Sequence, residues 1–180
     1  AKYLTDFLKR FKSLSHISLY LLSFENTQVA LNFDDQVLLY LEAIDIIKNN
    51  GFLHYEISNF AKPKFECKHN LTYWNRDEYI GLGVSSSGFL GNVRYKNVDK
   101  LNEYFDFFRQ EKEILTSEDI LSEEIMLGLR LLNQGIDYQK FYNKNMDVWI
   151  NDGYLIVQDA RIFLTKKGLP ICNQIFASII

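Results

Sequence analysis

Two apolar segments separated by an amphipathic stripe constrain the fold of this chain more than any other feature. Residues 16–24 form a nearly continuous apolar run, which is typical of a strand covered on both faces in a parallel sheet. Asn50-Gly51 then ends a helix, and residues 52–60 indicate a second strand. The apolar residues of the helix recur at helical spacing and are Val37, Tyr40, Leu41, Ile44 and Ile47. Strand, helix and strand within about 45 residues predict a βαβ unit with two parallel strands.

Helical patterns follow from about residue 99. Thr116 and Asp119 predict the N-terminal cap of a helix that ends near Gly135. The apolar stripe of that helix consists of Leu121, Ile125, Leu129 and Leu132. A preceding amphipathic helix is indicated by Leu101, Tyr104, Phe105 and Phe108.

Short elements complete the chain. Residues 137–142 indicate a short helix, and residues 154–157 and 161–164 a hairpin. Thr165 caps a final helix running to Ile180, whose start Gly168 and Pro170 delay. Three helices, a hairpin and a helix resemble a winged-helix arrangement.

Composition and charge exclude several classes of protein. Hydrophobic residues make up 47% of the 180 residues, enough for one or two packed domains. The net charge is −3 with both signs interspersed, which is not the footprint of a binder of nucleic acid or anionic membranes. No apolar run reaches the roughly 18–20 residues of a membrane-spanning helix. Cys67 and Cys172 form no Cys-x-x-Cys pair, so we expect a reducing cytoplasm.

Polar residues mark the end of the second predicted strand. Alternation puts His54, Glu56 and Ser58 on one face, with Tyr55, Ile57 and Asn59 on the other. A buried carboxylate requires a partner, so Glu56 indicates a polar cavity that holds a ligand. A hydrogen-bonded network that fixes the end of the strand is the alternative, and the residues leave both open.

A histidine and two large aromatic residues follow this strand. A neutral imidazole at His69 is a suitable ligand for haem iron, and Tyr73 and Trp74 are large enough to pack on a porphyrin face. The alternative is a histidine hydrogen-bonded in a turn beside core aromatics. Cys67-x-His69 also resembles half of a zinc site, but it supplies too few ligands.

Glycines follow the aromatic segment. Gly81-x-Gly83 lacks the spacing of the dinucleotide fingerprint, and close packing of backbone is favoured over a phosphate loop.

Several segments together resemble one protein family over about residues 15–169. They are Tyr-Glu-Ile-Ser-Asn-Phe-Ala at 55–61, Cys67-x-His69-Asn70-Leu71-x-Tyr73-Trp74, Tyr79-Ile80-Gly81-Leu82-Gly83, Met126-Leu127-Gly128-Leu129-Arg130 and Leu164-Thr165-x-x-Gly168. This combination resembles the HemW branch of the oxygen-independent coproporphyrinogen III oxidase family. Its members are radical S-adenosylmethionine (SAM) proteins, and HemW is regarded as a haem chaperone.

The resemblance implies a fold and a division into domains. Residues 1–97 would form the last strands and helices of a partial (β/α) TIM-like barrel. Residues 98–180 would form a helical, winged-helix-like C-terminal domain. The chain begins in a helical pattern without an initiator Met, so we expect it to be the C-terminal part of a longer protein.

The resemblance also implies ligands and their sites. His69, Asn70, Tyr73 and Trp74 match the segment linked to haem binding, with His69 as the iron ligand. Glu25, Glu56, Ser58 and Asn59 become candidates for contacts to SAM or substrate. The [4Fe–4S] cluster needs cysteines spaced Cys-x-x-x-Cys-x-x-Cys, which this sequence lacks, so we expect no radical chemistry from this chain alone.

Two departures from the family pattern are visible. Ser87 and Gly88 stand where the family commonly has His and Ser, so a role of that histidine does not transfer to this chain. The connection after Thr27 is shorter than in most members. Either the loop is shortened or residues are missing.

The resemblance favours a protein that binds haem or a porphyrin and delivers haem to acceptor proteins, with at most peripheral membrane association. A homodimer is compatible with it. An oxygen-independent coproporphyrinogen III oxidase is the alternative within the family, and the basic residues available for substrate carboxylates are Lys62, Lys64, Lys68, Arg76 and Arg94. A winged-helix nucleic-acid-binding module is the alternative of another class, although its basic residues would be sparse.

Overall fold

The structure is a computed structural model that describes residues 2–21, 32–107 and 110–180. It contains two compact units. The first comprises residues 1–67 and 129–179, and the second comprises residues 68–128 with residue 180. The predicted domains, 1–97 and 98–180, follow a different division, so that boundary stays a prediction about the family.

Short helices and strands alternate along the described chain. The helices are α1 Lys2–Arg10, α2 Phe33–Asn49, α3 Lys68–Trp74, α4 Leu101–Phe107, α5 Ser117–Arg130, α6 Tyr138–Phe141, α7 Asp147–Asn151 and α8 Cys172–Ile179, with 3₁₀ turns at Lys144–Met146 and Leu169–Ile171. The strands are β1 His16–Ser18, β2 Leu53–Glu56, β3 Asn59–Ala61, β4 Ser87–Leu90, β5 Val93–Asn97, β6 Gln110–Ile114, β7 Ile136–Asp137, β8 Leu155–Gln158 and β9 Arg161–Leu164. Among the described residues, no helix combines the length and apolar character needed to cross a membrane.

The helix predicted between the two apolar segments is confirmed as α2. Its N-terminus is capped by Asn32, whose side-chain oxygen accepts a hydrogen bond from the backbone N–H of Asp35 at 2.8 Å. Asn50 closes its C-terminus, and Gly51 follows with φ of +80°, a conformation that glycine adopts without strain. Tyr40, Ile44 and Ile47 are the buried members of the predicted stripe.

The strands around α2 differ from the prediction. Residues 52–60 form a hairpin, not one strand, because β2 ends at Glu56 and the chain turns at Ile57 and Ser58. β3 lies between β1 and β2 and pairs antiparallel with both. β1 and β2 therefore run in the same direction, as predicted, but they are not neighbours in a parallel sheet. The first predicted strand is shorter than expected, because β1 ends at Ser18 and residues 19–21 form no strand. Residues 22–24 of that apolar run lie outside the described residues.

The second unit contains a sheet that the sequence did not predict. β4, β5 and β6 form an antiparallel sheet in that order. Charged residues pair across β5 and β6, for example Arg94 opposite Glu113 and Lys96 opposite Glu111. A strand as polar as Gln-Glu-Lys-Glu-Ile carries no apolar alternation, which explains why the pattern missed it.

The remaining helix and hairpin predictions are confirmed with small shifts. Thr116 and Asp119 form a reciprocal cap on α5, with the Asp119 N–H donating to the Thr116 hydroxyl at 3.2 Å and the Thr116 N–H donating to the Asp119 carboxylate at 2.8 Å. α5 ends at Arg130, earlier than predicted, because Leu131 forms a β-bridge with Glu56. β8 and β9 form the predicted hairpin, and α8 begins only at Cys172.

Candidate functional site

Helix α3 presents the predicted haem segment in the second unit. His69 and Tyr73 lie one helical turn apart, and their rings meet edge to face with centroids separated by 4.8 Å. The Tyr73 hydroxyl lies 3.1 Å from Nε2 of His69. His69 is exposed, whereas Asn70, Tyr73 and Trp74 are half-buried. The imidazole is therefore accessible while one of its ring nitrogens has a partner.

The aromatic contacts continue beyond the helix. The Tyr73 ring packs edge to face on Tyr79 at 4.7 Å, and Tyr79 forms an isolated β-bridge with Phe89. Tyr73, Trp74, Tyr79 and Phe89 line a cavity of about 230 Å³. The sequence predicted Tyr73 and Trp74 as ligand contacts, but not the part played by Tyr79 and Phe89.

Two arginines and one glutamate form the polar side of this cavity. Nε of Arg76 donates to Oε2 of Glu123 at 2.9 Å, and Nε of Arg94 donates to Oε1 of Glu123 at 2.8 Å. The guanidinium carbons of Arg76 and Arg94 lie 4.7 and 5.0 Å from the centroid of the Phe89 ring, within cation–π range. Sequence reasoning named the two arginines only as basic residues and missed Glu123, because no local pattern links α5 to residues 76 and 94.

A second, larger hollow lies along the sheet of the same unit. Its volume is about 520 Å³, and it shares Tyr79 and Arg94 with the smaller cavity. Gly88 and Tyr95 contribute apolar surface. The glycine of β4 is required, because a Cβ there would come within 2.1 Å of the Tyr95 ring.

Glu56 occupies a different environment, in the first unit. Its carboxylate is fully buried and accepts hydrogen bonds from the Asn59 side-chain amide and from the backbone N–H of Ser58, the latter at 3.1 Å. The guanidinium of Arg130 lies 3.8 Å from its second oxygen. Burial raises the pKa of Glu56, while Asn59 and Arg130 oppose that shift.

The predicted division of this segment into two faces is wrong. Glu56 and Asn59 were placed on opposite faces, but they contact each other because the strand ends at Glu56 and reverses. Ser18 extends the network, since its hydroxyl donates to the Asn59 side-chain oxygen at 2.5 Å. This arrangement is a hydrogen-bonded network at the end of the strand, which was one of the two alternatives predicted from the sequence. Roles of Glu56, Ser58 and Asn59 in cofactor binding stay predictions, and Glu25 lies outside the described residues.

The other histidines have internal partners in the first unit. The His54 ring stacks on Phe60 at a centroid distance of 3.9 Å, and its Nε2 lies 3.0 Å from the carbonyl oxygen of Ile57. Burial lowers the pKa of His54 to about 4. His16 lies 3.0 Å from the Tyr55 hydroxyl.

The described residues do not fit an iron–sulfur cluster. Cys67 and Cys172 are free cysteines, and among the described residues no three His, Cys, Asp or Glu side chains group as a metal site would require. The Cys67-x-His69 pair therefore gains no further ligand in this part of the chain.

The two glycines of the Gly81-x-Gly83 segment have different roles, since Gly81 is packed closely against backbone and Gly83 has φ of +94° in open space. A Cβ on Gly81 would lie 2.2 Å from the carbonyl oxygen of Ser87, a distance that real contacts do not reach. Backbone packing, not a phosphate loop, explains this glycine.

Basic residues near the C-terminal hairpin are largely engaged within the protein. Arg161 donates to the carbonyl oxygens of Gln134 and Gly135, and Lys166 pairs with Asp45 at 2.6 Å. Lys167 donates to the carbonyl oxygen of Asp152 at 2.7 Å. This surface offers few free cations for phosphate contacts.

Comparisons with known proteins agree with these features. Residues 115–171 match the family model of the HemN C-terminal domain. The haem chaperone HemW of Lactococcus lactis subsp. lactis (strain IL1403) is 34% identical over 91% of this chain and 50% of its own length. The haem chaperone HemW of Bacillus subtilis (strain 168) is 30% identical over 92% of this chain and 51% of its own length.

A solved structure shares the fold. Coproporphyrinogen III oxidase (HemN) from Escherichia coli, described as a radical SAM enzyme, superposes with a TM-score of 0.68 at 18% identity, over 96% of this chain and 50% of that one. Our chain spans about half the length of the curated relatives that it matches. The chain is therefore similar to HemW proteins over about nine tenths of its length, and it shares its fold with half of HemN.

Proposed function

We propose that this chain is the C-terminal part of a HemW-like radical SAM protein that binds haem and delivers it to acceptor proteins. One observation carries the proposal: His69 is exposed on α3, and its ring is held by Tyr73 beside a cavity lined with aromatic residues. The relatives of 30–34% identity, which are named haem chaperones, favour this function over the others.

The geometry suggests how His69 would hold the iron. When the Nε2–H of the neutral ring donates to the Tyr73 hydroxyl, the lone pair lies on Nδ1, which is then the ligating atom. A hydrogen bond to the second ring nitrogen is the usual way in which proteins orient a ligating histidine. Asn70 and Trp74 belong to the same segment and complete the proposed haem surface.

Titration of the protein with hemin tests this proposal. We expect a shifted Soret band with the wild type and loss of that shift with His69→Ala. The matched control is His16→Gln, which removes another imidazole that lies beside a tyrosine hydroxyl but should leave the shift intact. A Soret shift that survives His69→Ala unchanged would remove His69 from its role.

The alternative within the family is an oxygen-independent coproporphyrinogen III oxidase, the activity named for the solved structure of the same fold. At 18% identity that likeness concerns the fold, and the closer sequence relationship is to the chaperones. Assay of the full-length protein for protoporphyrinogen formation separates the two functions. SAM and the [4Fe–4S] cluster belong to the proposal for the whole protein.

The finer architecture is also part of the proposal. The partial (β/α) barrel over residues 1–97 belongs to the family pattern; β1 and β2 run in one direction as it requires, but β3 lies antiparallel between them. The β8–β9 hairpin followed by α8 supports a winged-helix-like domain within residues 98–180. We expect this domain to bind no nucleic acid, and a salt-dependent mobility shift with duplex DNA would contradict that expectation. A cytoplasmic location and a homodimer stay predictions.

A further inference from the structure

Arg76 has a binding capacity that its internal contacts do not use. Its Nε is bonded to Glu123, but its buried Nη2 has no hydrogen-bond partner among the described residues. The side chain is only 16% exposed, and the residue has φ of +58°. A buried donor without an acceptor is costly, so an acceptor that reaches this guanidinium would stabilise it.

The surroundings of Arg76 favour an anionic ligand group. Arg76 and Arg94 share the single carboxylate of Glu123, which leaves this cluster with an excess positive charge. Asp77 lines the same cavity and Glu113 lies opposite Arg94 in the sheet, but both are exposed, so water screens their charges. An arginine fork matches the two oxygens of a carboxylate better than any other anion-binding side chain in proteins.

The volume of the cavity fits one part of a ligand and not a whole small molecule. About 230 Å³ is below the roughly 300–1,000 Å³ typical of pockets that enclose a whole small molecule. It suffices for a short carbon arm that ends in a carboxylate. The aromatic walls of Tyr73, Trp74 and Phe89 suit the carbon part, and the guanidinium groups suit its end.

Tyr73 connects this cavity to the proposed iron ligand. Its hydroxyl contacts His69, and its ring lines the cavity that contains Arg76 and Arg94. We propose that this cavity binds one carboxylate side arm of the porphyrin, held by Arg76 with Arg94 beside it. This inference rests on the proposed function, because it assigns the position of a ligand whose iron is bound at His69.

Comparison of two iron porphyrins tests the inference. One is hemin, and the other is its dimethyl ester, in which both carboxylates are blocked. Each is titrated into wild type, Arg76→Gln and Arg76→Lys, with far-UV circular dichroism to verify folding. We expect Arg76→Gln to weaken hemin binding about tenfold and Arg76→Lys to weaken it less, because lysine keeps the charge but not the fork. Neither variant should change the affinity for the ester.

The outcomes separate this inference from the proposed function. Failure of the wild type to bind either porphyrin contradicts haem binding itself. Binding that depends on His69, with equal effects of Arg76→Gln on hemin and on its ester, overturns the carboxylate site alone. If Arg76→Gln does not fold, Arg94→Gln on the more exposed second arginine takes its place, with the same loss expected for hemin and not for the ester.

Discussion

The buried network around Glu56 and the exposed segment around His69 use similar residue types in opposite ways. In the first, a carboxylate with no exposure accepts hydrogen bonds from Asn59 and Ser58 through one oxygen. Arg130 lies 3.8 Å from its second oxygen, which has no hydrogen-bond partner among the described residues. In the second, an exposed imidazole and a buried guanidinium nitrogen stand beside a cavity. The difference in exposure indicates that Glu56 serves the fold, whereas the imidazole of His69 is available to a ligand.

The largest effect is expected from Glu56→Ala. Removal of the carboxylate takes away the buried acceptor of the Asn59 amide and the negative charge beside Arg130, and we expect a loss of about 3–5 kcal/mol in the free energy of unfolding. Urea denaturation measures it. Glu111→Ala on the exposed strand β6 is the control and should change the value by no more than about 0.5 kcal/mol. Equal stability of the two variants would show that the Glu56 network is not structural.

The second effect is a pH dependence that originates in the same unit. His54 has a folded-state pKa of about 4 against an ordinary value of 6.5, so the unfolded chain takes up its proton first as the pH falls. The free energy of unfolding should therefore drop between pH 7 and pH 4, with a contribution from His54 of about 2–3 kcal/mol. Burial raises the pKa of Glu56, which acts in the opposite direction, so the contribution is measured as a difference from His54→Gln. Identical pH profiles of the two proteins would contradict it.

A smaller effect is expected at the ligand-binding segment, and it concerns affinity. Tyr73→Phe removes the hydroxyl that orients His69, and we expect hemin affinity to fall about tenfold. Stability should change by no more than about 0.5 kcal/mol. Tyr142→Phe removes another exposed hydroxyl, which contacts Asp147, and should leave hemin affinity unchanged. Loss of stability without loss of affinity in Tyr73→Phe would reverse the comparison between the two regions.

The smallest effect is expected at the cap of α5. Thr116→Ala removes the hydroxyl that accepts the Asp119 N–H and should cost about 1 kcal/mol of stability. Hemin affinity should stay unchanged, because Thr116 does not line the cavity with Arg76 and Arg94. A parallel loss of affinity would mean that general destabilisation, not local contact, governs ligand binding in this unit.

Local patterns predicted those parts of the molecule that local interactions determine. The stripe and caps of α2, the reciprocal cap of α5 and the β8–β9 hairpin are all encoded within a few neighbouring residues. The sheet of β4, β5 and β6 was missed because its pairing depends on contacts between strands, and its polar surface carries no apolar alternation.

The candidate site was also predicted only where its residues are neighbours in the sequence. His69 and Tyr73 are recognisable because they lie four residues apart on one helix. Arg76, Arg94 and Glu123 come together only through folding, so no spacing in the sequence marks them as a group. The position of Glu56 was misjudged for a related reason: a reversal of the chain at Ile57 and Ser58 ends the alternation on which the two-face prediction depended.

Replacement of the proposed ligand atom tests the central claim most directly. His69→Cys offers the iron a sulfur atom in place of a nitrogen atom, and electron paramagnetic resonance of the bound ferric haem reports which atom coordinates the metal. We predict an imidazole-ligated spectrum for the wild type and a thiolate-ligated spectrum for His69→Cys. Identical spectra of the two proteins would contradict the assignment of His69 as the haem ligand.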